Sequence, residues 1–342
     1  MKFKSIIVLS LILLTACDKD LTVDTSPRGD FELFFAYLEN DYAYRDYHPF
    51  TMEELRQKYL PQIEASNTKE MLANILLNIQ LNELQDPHVY IDDDEPWYLT
   101  NVREKSPVHL DEALPLFREI HVIQHTPYYT YGLTKANPRI GYIYIRAFNS
   151  DVGGTSSLHI DAGVKKIDNI IQELRHQGIV SMIVDMRSDA GGSNYVPRYV
   201  AQHFVNRSAV YMVEEYPVVH SFTRKEWTVT PSGGTGFREG KIALLSNGMT
   251  ASGGEMFLLA MLQRDNLIHI GSRSAGASGN ITEKDLSNGW NMTITNSRTE
   301  YPDGRQYFKV GIVPAVIVEN DSTYGDITFT DRLIEEAIRV LQ

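Results

Sequence analysis

The nine residues Asn247-Gly-Met-Thr-Ala-Ser-Gly-Gly-Glu255 put a serine between a strand-like run and a helix-like run. Lys241-Ile-Ala-Leu-Leu-Ser246 leads in, and Met256-Phe-Leu-Leu-Ala-Met-Leu-Gln263 leads out. Ser252 then stands at a helix N-terminus, where the first N–H groups lack intrahelical partners and the helix dipole is positive. That setting suits a nucleophile whose attack generates an oxyanion. It equally suits an ordinary capping serine, so a second feature has to decide. The apolar run Ile179-Val-Ser-Met-Ile-Val-Asp-Met186 is followed by Arg187-Ser-Asp-Ala-Gly191-Gly192. A glycine pair just past a buried strand lets the backbone turn sharply and aim N–H groups at a close neighbour. If both turns leave the carboxyl ends of strands in one sheet, they share the edge where open α/β sheets place their ligands.

The elements around these turns read as an α/β core from Arg139 onward. Ile140–Phe148 is a strand, Ile160–Gln177 an amphipathic helix closed by Gly178, Tyr195–Phe204 a helix and Leu267–Gly271 a further strand. Strands alternating with helices imply a largely parallel sheet with helices packed on it. Segments 209–230 and 290–312, rich in Tyr, Val, Thr and Ile, read as two-stranded excursions. Asp331–Leu341 reads as a closing helix. From Gly29 to about Leu84 the apolar residues recur at three- and four-residue spacing (Phe31, Phe34, Phe35, Leu38; Leu72, Ile75, Leu76, Ile79), which predicts about three helices ending at Asp86-Pro87-His88. The stretch to residue 138 is broken by prolines and holds short strands at Val89-Tyr-Ile91 and Leu116–Ile123. The expected division is 1–16 leader, 17–28 polar tether, 29–138 helical cap with connecting strands, and 139–342 core.

The first residues address the chain. Lys2 and Lys4 precede Ile6–Leu14, and Thr15-Ala16-Cys17 closes the run. A charged start, a short apolar stretch and small residues at its end form an export signal and not a membrane span. Leu14-Thr15-Ala16-Cys17 resembles the bacterial lipobox, which implies a lipid on Cys17 and a membrane anchor in the cell envelope. Cys17 is the single cysteine of 342 residues, so no disulfide can form within one chain. Beyond the leader, 30 basic residues face 44 acidic ones, a formal net charge of −14 that argues against a nucleic-acid partner. The 43% hydrophobic content is enough for a sizeable core. No Cys/His set of zinc spacing and no phosphate-binding glycine loop with lysine occurs. No cofactor is expected.

Met182-Ile-Val-Asp-Met-Arg187 with Gly191-Gly192 resembles an element of the S41 peptidases, the tail-specific or C-terminal processing protease family with its tricorn-like branch. Thr250-Ala-Ser252 with Glu255 is similar to that family's nucleophile motif. Gly271, Gly276 and Gly311-Ile-Val-Pro314 match its later glycines and closing element in the right order. The resemblance, spanning about residues 139–320, implies a crotonase-like core and a peptide or protein substrate. It makes Ser252 the nucleophile, with oxyanion donors from the backbone of Gly191 or Gly192 and of Gly253. Processing proteases pair the serine with a lysine, but Ala277 stands at that place here, and alanine cannot take a proton. The tricorn-like branch instead uses a histidine, and Leu84-Gln-Asp-Pro-His88 resembles its element, which makes His88 the candidate base and Asp86 a candidate orienting residue. Glu255 reads as a first-turn acid favoured by the dipole. Three departures stand out: Pro87 precedes His88, Phe308-Lys309 occupies the place of an expected glutamate, and Ala315 replaces an aspartate. No PDZ module is expected in 89–138. A binding module of the same fold, taking extended peptide or an apolar ligand, is the alternative.

Overall fold

A computed structural model describes residues 24–92, 119–148, 160, 162–218, 221–319 and 331–342. The leader, Cys17 and most of the tether lie outside the described residues. Three helices open the chain: α1 (Pro27–Asp41), α2 (Met52–Ala65) and α3 (Lys69–Asn78), the last continuing into a π-helical turn, Ile79–Leu84. Each starts where a hydroxyl can satisfy a free N–H. Ser26 accepts from Gly29, Thr51 forms a capping box with Glu54, and Thr68 accepts from Met71. Their apolar stripes meet in one cluster holding Phe31, Phe34, Leu38, Leu55, Leu72 and Ile75.

That cluster is finished by residues from the other end of the chain: Leu286, Met292, Ile294 and Phe308. The strand β1 (Tyr90–Asp92) leaves the helices and pairs antiparallel with β11 (Asn291–Thr295), which also pairs with β10 (Ile281–Asp285). The buried Asp30 carboxylate accepts the Ser287 N–H at 2.6 Å. The cap is therefore sewn into the core by main-chain bonds as well as by apolar contact.

The central sheet has seven strands in the order β13-β9-β8-β5-β4-β3-β2. They are β2 (Ile120–His125), β3 (Tyr129–Thr134), β4 (Ile140–Ile145), β5 (Ser181–Asp185), β8 (Lys241–Ser246), β9 (Leu267–Gly271) and β13 (Val316–Ile317). The run from β4 to β13 is parallel, and β2, β3 and β4 pair antiparallel, which makes the sheet mixed. Residues 120–134, grouped with the cap in the sequence reading, are outer strands of this sheet. The β2–β3 hairpin turns around Pro127, and Tyr129 and Tyr131 bury one of its faces against the helices. The strands alternate as a pleat requires. Ile143, Met182, Val184, Ile242 and Leu244 face α4 (Ile167–His176), α5 (Val196–Ala201) and α6 (Gly253–Met261). Tyr142, Ile183, Ala243 and Leu245 face α7 (Arg332–Leu341). The hairpin β6 (Ala209–Val218) and β7 (Ser221–Val229) pairs as the sequence suggests. Segment 290–312 does not form a two-stranded hairpin of its own: β11 pairs with β1 and β10, β12 (Arg298–Glu300) pairs with β6, and within the segment there is a Glu300–Gln306 bridge.

A buried ionic cluster locks α7 to the end of β5. Arg187 donates to both oxygens of Asp331, at 2.9 and 2.8 Å, and to Asp185 at 2.6 Å, while the Tyr142 hydroxyl donates to Asp185 at 2.8 Å. Asp331 also caps α7, accepting the Ile334 N–H. One guanidinium serves two buried carboxylates, so its removal leaves two uncompensated charges facing each other. Arg187→Ala is expected to lower the unfolding free energy by about 3–5 kcal/mol, measured by denaturant unfolding at pH 7.

Candidate active site

Three parallel neighbours position the site. Asp185 of β5 pairs in register with Leu245 of β8, and Ser246 of β8 with Gly271 of β9. Their exits, 186–192, 247–252 and 272–280, consequently emerge side by side at one edge. The three turns are bonded to each other. Ala251 N–H donates to the Asp189 carbonyl at 2.9 Å, Thr250 Oγ1 to the Met186 carbonyl at 2.8 Å, and Ala275 N–H to the Thr250 carbonyl at 2.9 Å. The Asn247 side-chain oxygen accepts from both Ser188 N–H and Met249 N–H.

Ser252 sits at the head of α6 with φ 52° and ψ −117°, a conformation that costs a non-glycine residue on the order of 1–3 kcal/mol. Gly191 approaches it so closely that a Cβ there would stand 2.8 Å from the Ser252 Cβ and 2.6 Å from the Gly253 nitrogen. Gly191 and Gly192 have φ of 97° and 136°, open to glycine alone at low cost. The Gly191 N–H is committed to Asp189 Oδ1 at 2.8 Å. Among the described residues the N–H groups of Gly192 and Gly253 have no acceptor, and both lie beside Ser252. Two unpaired donors next to a strained serine can stabilise a negative oxygen there.

Glu255, read as a first-turn acid, does stand in the first turn of α6 and is wholly buried. Its carboxyl accepts the Ser252 N–H at 3.2 Å, the Gly276 N–H at 2.7 Å and the Ser274 hydroxyl at 2.5 Å. Burial pushes its pKa up to about 7, and these donors oppose the rise. One signal in the sequence pointed this way: Gly-Gly-Glu-Met-Phe-Leu-Leu-Ala-Met is apolar on every face, and such a helix is buried all round, acid included.

His88 comes from the cap side and is 7% exposed. Its carbonyl accepts the Thr293 hydroxyl at 2.7 Å, and its N–H donates to Asp86 Oδ1 at 2.9 Å. Asp86 Oδ2 accepts the Thr295 hydroxyl at 2.7 Å. Asp86 thus fixes the main chain that carries His88 through the backbone N–H and not through the imidazole. Burial lowers the His88 pKa while Asp86 and the Ser278 carbonyl raise it, and the net shift is downward, which keeps the ring neutral at pH 7. Nδ1 is buried without a partner among the described residues. No hydrogen bond joins His88 to Ser252 in this structure. The link between them runs through the 274–278 loop: Glu255 holds Gly276, and the ring lies by the Ser278 carbonyl. Ala277, at the lysine place of the processing proteases, is buried in this loop. Phe308 stacks on Tyr44 with centroids 3.7 Å apart, so cap and core meet where a glutamate was expected. Among the described residues no cluster of three His, Cys, Asp or Glu side chains is placed to hold a metal ion.

A mixed α/β core with a helical N-terminal region is the fold of solved S41 peptidases. The model of peptidase family S41 matches residues 139–318, and the chain belongs to that family. It is 22% identical over 199 residues to the chloroplastic C-terminal processing peptidase of Tetradesmus obliquus, covering 58% of this chain and 39% of that protein. It is 24% identical over 191 residues to the carboxyl-terminal-processing protease of Synechocystis, covering 55% and 40%. The chain thus matches about two fifths of the length of these curated relatives. Among solved structures, a peptidase from Parabacteroides merdae aligns with a TM-score of 0.76 at 20% identity, over 93% of this chain and 97% of that one. The photosystem II D1 C-terminal processing protease aligns with a TM-score of 0.55 at 16% identity, over 93% and 97%.

The buried Glu255 carries a stability signature. Its folded pKa, about 7, lies above its ordinary 4.5, so its contribution declines as pH rises from 4.5 to 7 and is flat above. Glu255→Gln is expected to remove that slope from the pH dependence of urea unfolding. Glu255→Ala, which leaves three donors unpaired, is expected to cost about 3 kcal/mol at pH 7 in the same measurement.

Proposed function

We propose that this protein is a serine endopeptidase acting on peptide or protein chains. Ser252 Oγ attacks the scissile carbonyl, His88 accepts its proton, and the Gly192 and Gly253 N–H groups hold the oxyanion. His88 returns the proton to the leaving amine, and water then hydrolyses the acyl-enzyme. The observation that carries the reading is the strained Ser252 beside two unpaired N–H groups, on facing turns of adjacent parallel strands. Family membership and the names of the relatives support it. The buried, neutral His88 imidazole with an unpartnered Nδ1 supports the assignment of the base. Catalytic hydrogen bonds are often long before substrate arrives and tighten in the complex, so the Ser252–His88 bond is one that substrate completes.

Labelling with a fluorophosphonate tests the nucleophile. Ser252→Ala is expected to reduce labelling to background and His88→Ala to slow it about 10²-fold or more; labelling of the Ser252→Ala protein equal to wild type overturns the reading. Since the neutral imidazole is the active form and its pKa is lowered, wild-type labelling is expected to fall with acid only below pH 6.5.

We also propose that the protein is exported and held in the cell envelope by a lipid on Cys17, a reading supported by Lys2, Lys4, the apolar run Ile6–Leu14 and the Leu-Thr-Ala-Cys sequence. Cys17→Ala is expected to move the protein from the membrane to the soluble fraction on cell fractionation.

A further inference from the structure

Of the buried titratable groups, Asp189 is one that the proposed mechanism leaves unused, and it lies directly behind the donors. Its side chain has no exposed surface. One carboxyl oxygen, Oδ1, accepts the Gly191 N–H at 2.8 Å, and the other, Oδ2, is buried with no partner among the described residues. Its main chain holds the serine turn by accepting the Ala251 N–H at 2.9 Å, and its own N–H donates to Met186 at 3.2 Å. A Cβ on Gly254 would stand 2.9 Å from the Asp189 carbonyl oxygen and 3.4 Å from Oδ1, so the acid is wedged between the glycine turn and the first turn of α6.

Among the described residues no cation compensates it. From its own turn, Arg187 is spent on Asp185 and Asp331. On β3 the Tyr129 phenol feels the Asp189 charge but donates to the Val164 carbonyl at 3.0 Å, with Tyr199 beyond it. From α6 comes another acid, Glu255, tied to the Ser252 turn. The N-terminal end of α6 favours negative charge, yet a single N–H reaches the carboxyl. A buried carboxylate with one donor and a bare second oxygen is far costlier than the neutral acid. Burial accordingly raises the Asp189 pKa well above its usual range, with the Gly191 N–H as the opposing influence.

We infer that Asp189 is a positioning residue for the oxyanion donors that works only as the un-ionised acid: Oδ1 pins the Gly191–Gly192 turn against Ser252 without placing a negative charge behind it. This rests on the peptidase reading of the same site. Ionisation keeps the acceptor but sets a charge within two peptide units of the oxyanion, where it opposes the charge that develops in the transition state. The activity therefore has an alkaline loss that belongs to Asp189. Asparagine, which keeps Oδ1 and cannot ionise, removes that loss, while alanine frees the turn at every pH.

The test uses the full chain with a fluorophosphonate probe across pH 6–10, and thermal unfolding of the same proteins across pH 4–9. Asp189→Ala is expected to lower the maximal inactivation rate about ten-fold or more with little change in the probe concentration for half-saturation. Asp189→Asn is expected to recover most of that loss and to keep its rate at alkaline pH where wild type declines. In the unfolding arm, a folded pKa raised above the unfolded one means stability falls as pH rises between them. Wild type should accordingly lose stability relative to Asp189→Asn from about pH 4 upward. An alkaline limb shared by wild type and Asp189→Asn overturns the catalytic part, and a pH-independent difference in melting temperature overturns the neutral acid. Absence of Ser252-dependent labelling in wild type instead fells the peptidase reading itself and the catalytic role with it; the unfolding arm then still decides the protonation state.

Discussion

The in-register parallel pairing of β5, β8 and β9 is the constraint on which the site depends. Because Asp185 stands opposite Leu245 and Ser246 opposite Gly271, three turns that are far apart in sequence leave the sheet at one level. A slip of one residue in any of these pairings would turn every side chain of that strand to the opposite face and carry its turn out of line. The alternating burial of Met182, Ile183 and Val184 between two cores makes such a slip prohibitive. Arg187 adds a second fixed point by tying the end of β5 to α7.

Buried acids recur around this edge, and each is accommodated differently. Asp185 and Asp331 remain with a shared guanidinium. Glu255 has no cation but gathers N–H and O–H donors, so its pKa rises only to about 7. Asp189 has one donor, and burial raises its pKa well above the usual carboxylate range.

Much of the site could be read from residue order. Ser252 and the Gly191–Gly192 turn were legible because strand, glycine-rich turn and helix follow one another without interruption, and the same order repeats. The cap was legible from its three- and four-residue spacing, down to its end at His88. What stayed hidden was long-range pairing. Nothing local in Tyr129–Thr134 tells a strand that joins the central sheet from one that serves the cap. Likewise Asn291–Thr295 has the composition of a hairpin strand, and it does pair with the preceding β10, but nothing local announces the distant β1 on its other side. Asp86, two residues before His88, was a candidate orienting residue for the imidazole. An aspartate at that spacing bonds the main-chain N–H just as readily, and here it does.

The cap's sewing has a consequence for the order of events in folding. The His88 carbonyl is held by Thr293, 205 residues further on, and Asp86 by Thr295, 209 residues further on. Contacts of such separation bear a large loop-closure entropy and form after local structure. On a chain made from its N-terminus, the helices of the cap and the strands up to β5 exist before the segment that seats the histidine has been synthesised. The site is therefore completed by the closing of the late segment onto the cap, and a partly folded or truncated molecule holds its serine turn without His88 in place.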